Sequence, residues 1–475
     1  MSTGALVVGA GPVGLLTALE LARQQVHVRI VDVRAHRGTR SKATTIWPRQ
    51  LELLARHGLA DPVIEAAARI DRVTVSTPGR RLATFGLAEL PATVFRFGVS
   101  IPQPRFEALL ERALADLGVT VERETTLLEL AQQPDRVTVA LRGPDGTVRA
   151  GTAAFVVGAD GMNSTVRELA AIPYAQTGPT LTFAITDVPI DGPVPAADVG
   201  YYYSPTGALG LVPMGAGVFR IALGVPAGAP DLGRDGFTAA LRDRAGHRAA
   251  LGDLPWEAHF EVRFQHATEY ARGRVALAGD AAHTMSPAGG QGMNTGLQDA
   301  ANLGWRLATA VRERASADRI AALLTGYTEE RRPDVERVME TSRLLTRFGA
   351  DTTWSSRLQR AALAAGARAV PPLRRSITAR IAQLATSYAG PGGSGGRLRP
   401  GDRFPQGFAD DWGVGARTYH WRPTAPPASR AGEATLLVAD RLPPAVVKAL
   451  GRTPATVSVR PDGHIRHISS DTAHR

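Results

Sequence analysis

The chain has 475 residues, 44% hydrophobic and 21% charged, enough apolar matter for several cores and too much for a disordered or collagen-like chain. Cysteine is absent, which excludes disulfides, thiolate metal sites and a cysteine nucleophile, and makes a reducing cytoplasm the expected setting. The formal charge is +11, but only Lys42 and Lys448 are lysines, and the arginines are dispersed among acids rather than gathered in a stripe, so no nucleic-acid partner is expected.

The first nineteen residues carry no charged side chain. Gly4, Gly9, Gly11, Pro12 and Gly14 nevertheless break the apolar run, so neither a leader nor a membrane helix is expected. Ala5–Val8 reads as a buried strand, Gly9-Ala10-Gly11-Pro12-Val13-Gly14 as a turn, Leu15 to Ala22 as a helix, and His27–Val31 as a strand ending at Asp32. Helices are predicted at Thr44–Leu59 and Pro104–Leu117. Strands follow at Val119–Arg123 and Val137–Arg142, the second entering a Gly143-Pro144-Asp145-Gly146 hairpin turn. Ala153–Val157 is a further buried strand and leads into Gly158-Ala159-Asp160-Gly161.

Between about Thr177 and Phe264 the pattern becomes short alternating β segments separated by Gly/Pro turns: Leu181–Asp187, Gly200–Ser204, Leu209–Pro213, Val218–Val225 and His259–Phe264. They suggest an antiparallel sheet inserted between the halves of an α/β unit. Val275–Ala278 returns to buried-strand character before a glycine-rich loop and a helix from about Gly292 to Arg314. Helices fill Ile320–Ala389, and Pro391-Gly392-Gly393-Ser394-Gly395-Gly396 is a linker. Its GxSxG spelling lacks the strand and helix a hydrolase elbow requires and carries no nucleophile.

Gly9, Gly11, Pro12 and Gly14 stand where a dinucleotide fingerprint needs them: a tight turn, bare backbone for a pyrophosphate, and close helix–strand packing. Asp32, at the end of the next strand, is placed to accept hydrogen bonds from an adenosine ribose. Asp280 ends a strand at the same kind of sheet edge, and Gly289, Gly290 and Gly292 leave room for a flat ring at the start of a helix whose positive end favours negative charge. Tyr201, Tyr202 and Tyr203 alternate along a strand, so Tyr202 is expected on the face opposite the other two.

Gly158–Arg167 and Gly279–Asn294, following the first glycine loop in that order, resemble the signatures of the single-component flavoprotein aromatic hydroxylases (group A monooxygenases), over about residues 4–345. The resemblance implies FAD as cofactor, NADPH or NADH as co-substrate, and Gly9, Gly11, Pro12, Gly14, Asp32, Lys42, Gln103, Asp160, Gly279, Asp280, Pro287, Gly290, Gly292, Met293 and Asn294 as cofactor contacts. Gln103 resembles the family's flavin-contacting Gln, and Asp160-Gly161 the motif that serves both FAD and nicotinamide. Arg40-Ser41-Lys42-Ala43-Thr44 resembles the mobile-flavin loop, although Lys42 replaces the usual Arg and cannot make its planar bidentate contact. Asp32 is likewise shorter than the family's common Glu. His283 is read as a packing residue of the loop, no catalytic residue is assigned, and no metal is expected.

The implied activity is hydroxylation of an aromatic or polyketide-type substrate by O2 through a flavin C4a-hydroperoxide. Baeyer–Villiger or epoxidising oxygenation, or a reductase or oxidase without oxygen transfer, remain alternatives on the same fold. The expected organisation is a Rossmann-like FAD-binding domain (1–70, 101–176, 272–345), an antiparallel-sheet substrate domain (71–100, 177–271), a helical segment (346–390), the linker (391–396) and a small C-terminal α/β module (397–475). That module, with Arg460-Pro461-Asp462-Gly463, resembles a thioredoxin-like tail without cysteines, and truncation after Ser394 is expected to leave flavin chemistry intact. A monomer or homodimer in the cytoplasm, without membrane partners, completes the reading.

Overall fold

The structure is a computed structural model and describes residues 3–38, 43–90, 93–351, 353–388, 403, 435–438 and 456–469. The chain is mixed α/β. Strand Thr3–Val8 is apolar and buried from Ala5 to Val8, as a strand covered on both faces must be. It pairs in parallel with Val28–Val31 on one side and Val148–Gly158 on the other. Val121–Glu122 and Val275–Leu277 extend the parallel row outward. Register aligns Val8 with both Val31 and Gly158, and Gly158 with Leu277. The residues that follow these strand ends, Gly9, Asp32, Asp160 and Asp280, therefore share one edge of the sheet. Helices Pro12–Arg23, Gln103–Ala115 and Gly292–Arg312 bury their apolar faces against it.

A second sheet has the strand order His283–Thr284, Ala258–Ala267, Tyr174–Asp191, Val218–Val225, Gly207–Gly215, Asp198–Ser204, Arg72–Thr77 and Arg80–Gly86, with Ala250–Leu251 on Tyr174–Asp191. Its strands contain all the β segments read between Leu181 and Phe264. The sheet is not wholly antiparallel, because Arg72–Thr77 runs parallel to Asp198–Ser204. Those strands are separated by a long excursion through the first sheet, which frees the chain to enter from either end.

The helix read at Thr44–Leu59 is shorter in the structure. Thr45–Ile46 is a strand of a small sheet with Gly98–Ser100 and Ala68–Ile70, and the helix spans Pro48–Ala55. Proline forces the preceding Trp47 into an extended conformation and then starts the helix itself. The 320–389 region resolves into helices Ala317–Ala350, Trp354–Ala369 and Pro371–Ile381. Near the C-terminus, Thr435–Val438, Thr456–Val459 and Ile465–Ser469 form an antiparallel sheet. Among the described residues no helix is long and apolar enough to cross a membrane.

Candidate functional site

The three glycines of the first loop are required for three different reasons. Gly9 has φ +102°, and a Cβ there would stand 2.3 Å from the Ala159 carbonyl oxygen. At Gly14 a Cβ would lie 1.9 Å from the Gly9 oxygen, so the helix packs directly on the turn. A Cβ on Gly11 would meet nothing within 4 Å. That open backbone precedes helix Pro12–Arg23, whose N-terminus has no side-chain cap, so its first amides point into a space suited to a pyrophosphate.

Asp32 is held beside this cradle. Its Oδ2 accepts from the Ala10 amide at 2.7 Å, and Arg34 donates to both oxygens at 2.9 Å. Burial pushes the carboxyl upward, but the hydrogen bonds from Arg34 and Ala10 outweigh it and hold Asp32 below the ordinary carboxylate range. Asp160 accepts from Ser164 Oγ at 2.5 Å and from the Val166 amide at 3.1 Å, fastening the turn through Gly161 to the next short helix. Burial raises its pKa against those bonds. Asp280 is exposed between buried Gly279 and Ala281. Gln103 opens its helix, accepts from the Ala43 amide at 3.3 Å and donates to Glu107 at 2.8 Å. Lys42 lies outside the described residues, as do Arg40, Ser41 and the Gly392–Gly396 linker.

The loop between Gly279 and Met293 joins the two sheets. Gly289 and Gly290 have φ +90° and +62°, a conformation that favours glycine. Pro287, Gly292 and Met293 are half-buried, and the helix beginning at Gly292 has no side-chain cap. Asn294 is fully buried and clips the loop to a distant segment: its Nδ2 donates to the Thr45 and Gly290 carbonyls at 2.8 and 2.7 Å, and its Oδ1 accepts from the Trp47 amide at 2.9 Å. The Trp47 indole donates to the Gly289 carbonyl at 3.0 Å. His283 bonds Asp299 at 2.6 Å and is almost wholly buried, a packing position. Arg331 donates to the other Asp299 oxygen at 2.8 Å, and the Gly279 amide also bonds Asp299, at 3.1 Å. Sequence reasoning missed Asp299 and Trp47. Asp299, between Leu297 and Ala300-Ala301 and three to four residues from Leu303, lay near an apolar helical stripe and was a legible sign of a buried charge, whereas nothing local marked Trp47.

Beside the loop is a cavity of about 410 Å³ whose lining includes Pro287, Ala288, Tyr201, Tyr203, Phe183 and Leu345. Alternation makes the room. Leu209, Leu211, Ile221 and Leu223 fill the core on one face of the second sheet, while Gly210, Ala222 and Gly224 leave the other face bare. Tyr202 faces the core and bonds His247 at 2.8 Å, as alternation predicts. Tyr201 faces the cavity, and its hydroxyl accepts from the Gly289 amide at 3.1 Å. Burial pushes Tyr201 up to about 12, so the phenol stays protonated at neutral pH. Elsewhere, Asp231, Glu257 and His259 bring metal-ligand atoms together, but Glu257 already accepts from the Leu232 and Gly233 amides and bonds His259.

A family profile described as an FAD binding domain matches residues 2–342. The chain is 35% identical to the 6-methylpretetramide 4-monooxygenase of Streptomyces rimosus, over 81% of this chain and 70% of that protein. It is 33% identical to an uncharacterized aromatic compound monooxygenase of Bacillus subtilis, over 82% and 77% respectively. Among solved structures, the anhydrotetracycline hydroxylase OxyS from Streptomyces rimosus superposes with a TM-score of 0.77 at 26% identity, covering 99% of this chain and 96% of that one.

Proposed function

The chain belongs to the FAD-dependent aromatic and polyketide hydroxylases, and on that premise we propose that it hydroxylates a ring of an aromatic or polyketide-type compound held in the cavity beside Pro287 and Ala288. The observation that carries this reading is the shared loop: Pro287 and Ala288 wall the cavity, while Gly290 to Asn294 lead into an uncapped helix on the side of the strand-edge cradle. When bound, FAD supplies the redox chemistry, taking two electrons from NADPH or NADH and activating O2.

The chain's own residues bind, orient and exclude water. The open backbone at Gly11 and the amides after Pro12 receive the pyrophosphate, Gly9 and Gly14 hold that turn, and Asp32 accepts from the adenosine ribose. Asp280 faces the ribityl region, and Gly279 lets helix Pro12–Arg23 approach. The helix start at Gly292, Met293 and Asn294 stabilises negative charge on the pyrimidine edge, with Gly290 and Pro287 shaping the space for the rings. Asn294 does so by holding the loop, since its amide is engaged within the chain. Gln103, beside the Ala43 amide, is a further cofactor contact, as is Lys42 by its motif alone, and Asp160 keeps the Gly161 turn in place for the nicotinamide. The apolar cavity shields the reacting centre from water, which favours oxygen transfer over peroxide release.

Within this reading, 1–70, 101–176 and 272–345 form the Rossmann-like cofactor unit, and 71–100 and 177–271 the substrate unit. Residues 346–390 are a helical segment, and 397–475 a thioredoxin-like tail with a packing role. The absence of cysteine supports a cytoplasmic location, and the protein acts as a monomer or homodimer. The test is stoichiometry under labelled oxygen with a substrate found by screening phenols and polycyclic aromatics. One labelled atom in product per nicotinamide oxidised is expected; peroxide with unlabelled product for every stimulating ligand would reassign the protein as an oxidase or reductase.

A further inference from the structure

We infer that the cavity beside Pro287 and Ala288 selects an uncharged, multi-ring aromatic ligand and discriminates against carboxylates. The inference deepens the monooxygenase reading and rests on it for the identity of the site. Among the described residues, none that lines the cavity is Asp, Glu, His, Lys or Arg. Its polar side chains are the hydroxyls of Thr182, Thr206, Thr346, Tyr201 and Tyr203. Two are already committed: Thr346 donates to the Ser342 carbonyl at 2.7 Å, and Thr206 bonds Ser204 at 3.0 Å. Tyr201 takes the Gly289 amide as an acceptor and keeps its own O–H to offer, so the site can greet a ligand oxygen with a neutral donor.

The cations nearest the walls are turned to other work. Arg244 sits on the helical turn Leu241–Ala245, which packs on the core face of the sheet, and it donates to the Ala208 and Gly224 carbonyls at 3.0 and 3.2 Å. Arg360 stands over the Tyr203 ring, 5.4 Å from its centroid, and its donors are taken by the Phe348 and Asp351 carbonyls and by Ser356. A carboxylate entering the cavity would lose its water without gaining a counter-ion, which an uncharged ligand does not suffer.

Shape points to fused rings. A volume of about 410 Å³ falls within the range of sites for drug-sized molecules. The wall formed by Gly210, Ala222 and Gly224 is nearly bare sheet, a flat surface for a flat ligand. Phe183, Tyr201 and Tyr203 supply aromatic surface for stacking or edge contacts.

The experiment uses the FAD-loaded full chain at pH 7 and three probes: 1-hydroxyanthraquinone, its 2-carboxylic acid, and the methyl ester of that acid. Binding is read from perturbation of the flavin absorbance. The parent compound and the ester are expected to bind at least about tenfold more tightly than the acid, the cost of stripping water from an unpaired charge. Because the ester is larger than the acid, weak binding of the acid alone isolates charge from bulk. In Thr346→Arg, which places a cation on the wall, the acid is expected to recover most of the difference. Equal or tighter binding of the acid by the unaltered protein overturns the inference, as does failure of all three to bind. Binding of the uncharged probes without stimulated nicotinamide oxidation leaves it standing and tells instead against the monooxygenase reading.

Discussion

The Tyr201 hydroxyl and the Gly289 amide are joined by a hydrogen bond of 3.1 Å between a strand of the second sheet and the loop that leads to helix Gly292–Arg312. Tyr201 also lines the cavity. A ligand that engages this phenol therefore acts on a group already holding the backbone of the cofactor-side loop. Through this contact a ligand in the cavity would be linked to the loop by a single hydrogen bond.

Replacing Tyr201 by Phe keeps the ring and leaves the buried Gly289 amide without its acceptor, a cost of about 1–3 kcal/mol. FAD content should stay within about twofold of wild type, since the pyrophosphate cradle is untouched. The fraction of oxidised nicotinamide that yields hydroxylated product should fall severalfold, with peroxide making up the balance. Measuring product and peroxide together checks this; unchanged coupling would show that the contact is only structural.

Two glycine variants should fail in different ways. A side chain at Gly11 enters open space, so Gly11→Val is expected to fold with a near-native melting temperature and to purify with little flavin. At Gly14 even a methyl group meets the Gly9 carbonyl oxygen at 1.9 Å, so Gly14→Ala is expected to lose stability or solubility outright. Circular dichroism melts and the flavin-to-protein absorbance ratio separate the outcomes.

Asp299 is fully buried between His283 and Arg331. Burial alone would raise its pKa, but the charges of His283 and Arg331 prevail and hold it below the ordinary value. The unfolded chain therefore takes up this proton first as pH falls. The stabilisation is complete above the unfolded value of about 3.9 and is lost as pH drops through the lower folded value. Asp299→Asn should cost about 3–5 kcal/mol at pH 7, because it leaves Arg331 short of a charge partner. Urea unfolding from pH 7 downward should show an acid-dependent loss in wild type that is reduced in the variant.

The C-terminal sheet is bound more firmly than a tail after a linker suggests. Arg460 donates to both Glu330 oxygens at 2.6 and 2.8 Å, Arg403 to Glu52 at 2.9 Å, and Arg49 to the Asp462 carbonyl at 2.6 Å. Truncation after Ser394 would take Arg460 from Glu330, Arg403 from Glu52 and the Asp462 carbonyl from Arg49, leaving Glu330 with Arg306 and Glu52 with Arg49. Losing these buried partners weakens the packing even where a second counter-ion remains, so the truncated chain should melt below the full one. The single variant Arg460→Ala should reproduce part of that loss. A truncated chain with an unchanged melting temperature would contradict the importance of these pairs.

The cofactor cradle was legible in the sequence because its constraints are local. Gly9 must take a positive φ, Gly14 must admit its own helix, and Asp32 ends the adjacent strand a short distance along the chain. Alternation likewise sorted Tyr202 from Tyr201 and Tyr203, since strand geometry places successive side chains on opposite faces. Proline chemistry at Pro48 was also present, but the stronger apolar periodicity around it masked the strand at Thr45–Ile46.

Other features exist only after folding. Gly289 meets Trp47 across 242 positions and Tyr201 across 88, and no local pattern encodes either partner. The parallel pairing of Arg72–Thr77 with Asp198–Ser204 depends on the route the chain takes through the first sheet. The cavity, without charged lining among the described residues, depends on which small residues of the second sheet come together with Leu345 and Thr346 of helix Ala317–Ala350. The sequence by itself determined the dinucleotide turn and the periodicity of the strands, because backbone sterics and side-chain alternation act between near neighbours. Only the tertiary structure decided what the cavity contains and how it is tied to the loop, because burial and hydrogen bonding act between whatever surfaces packing brings together.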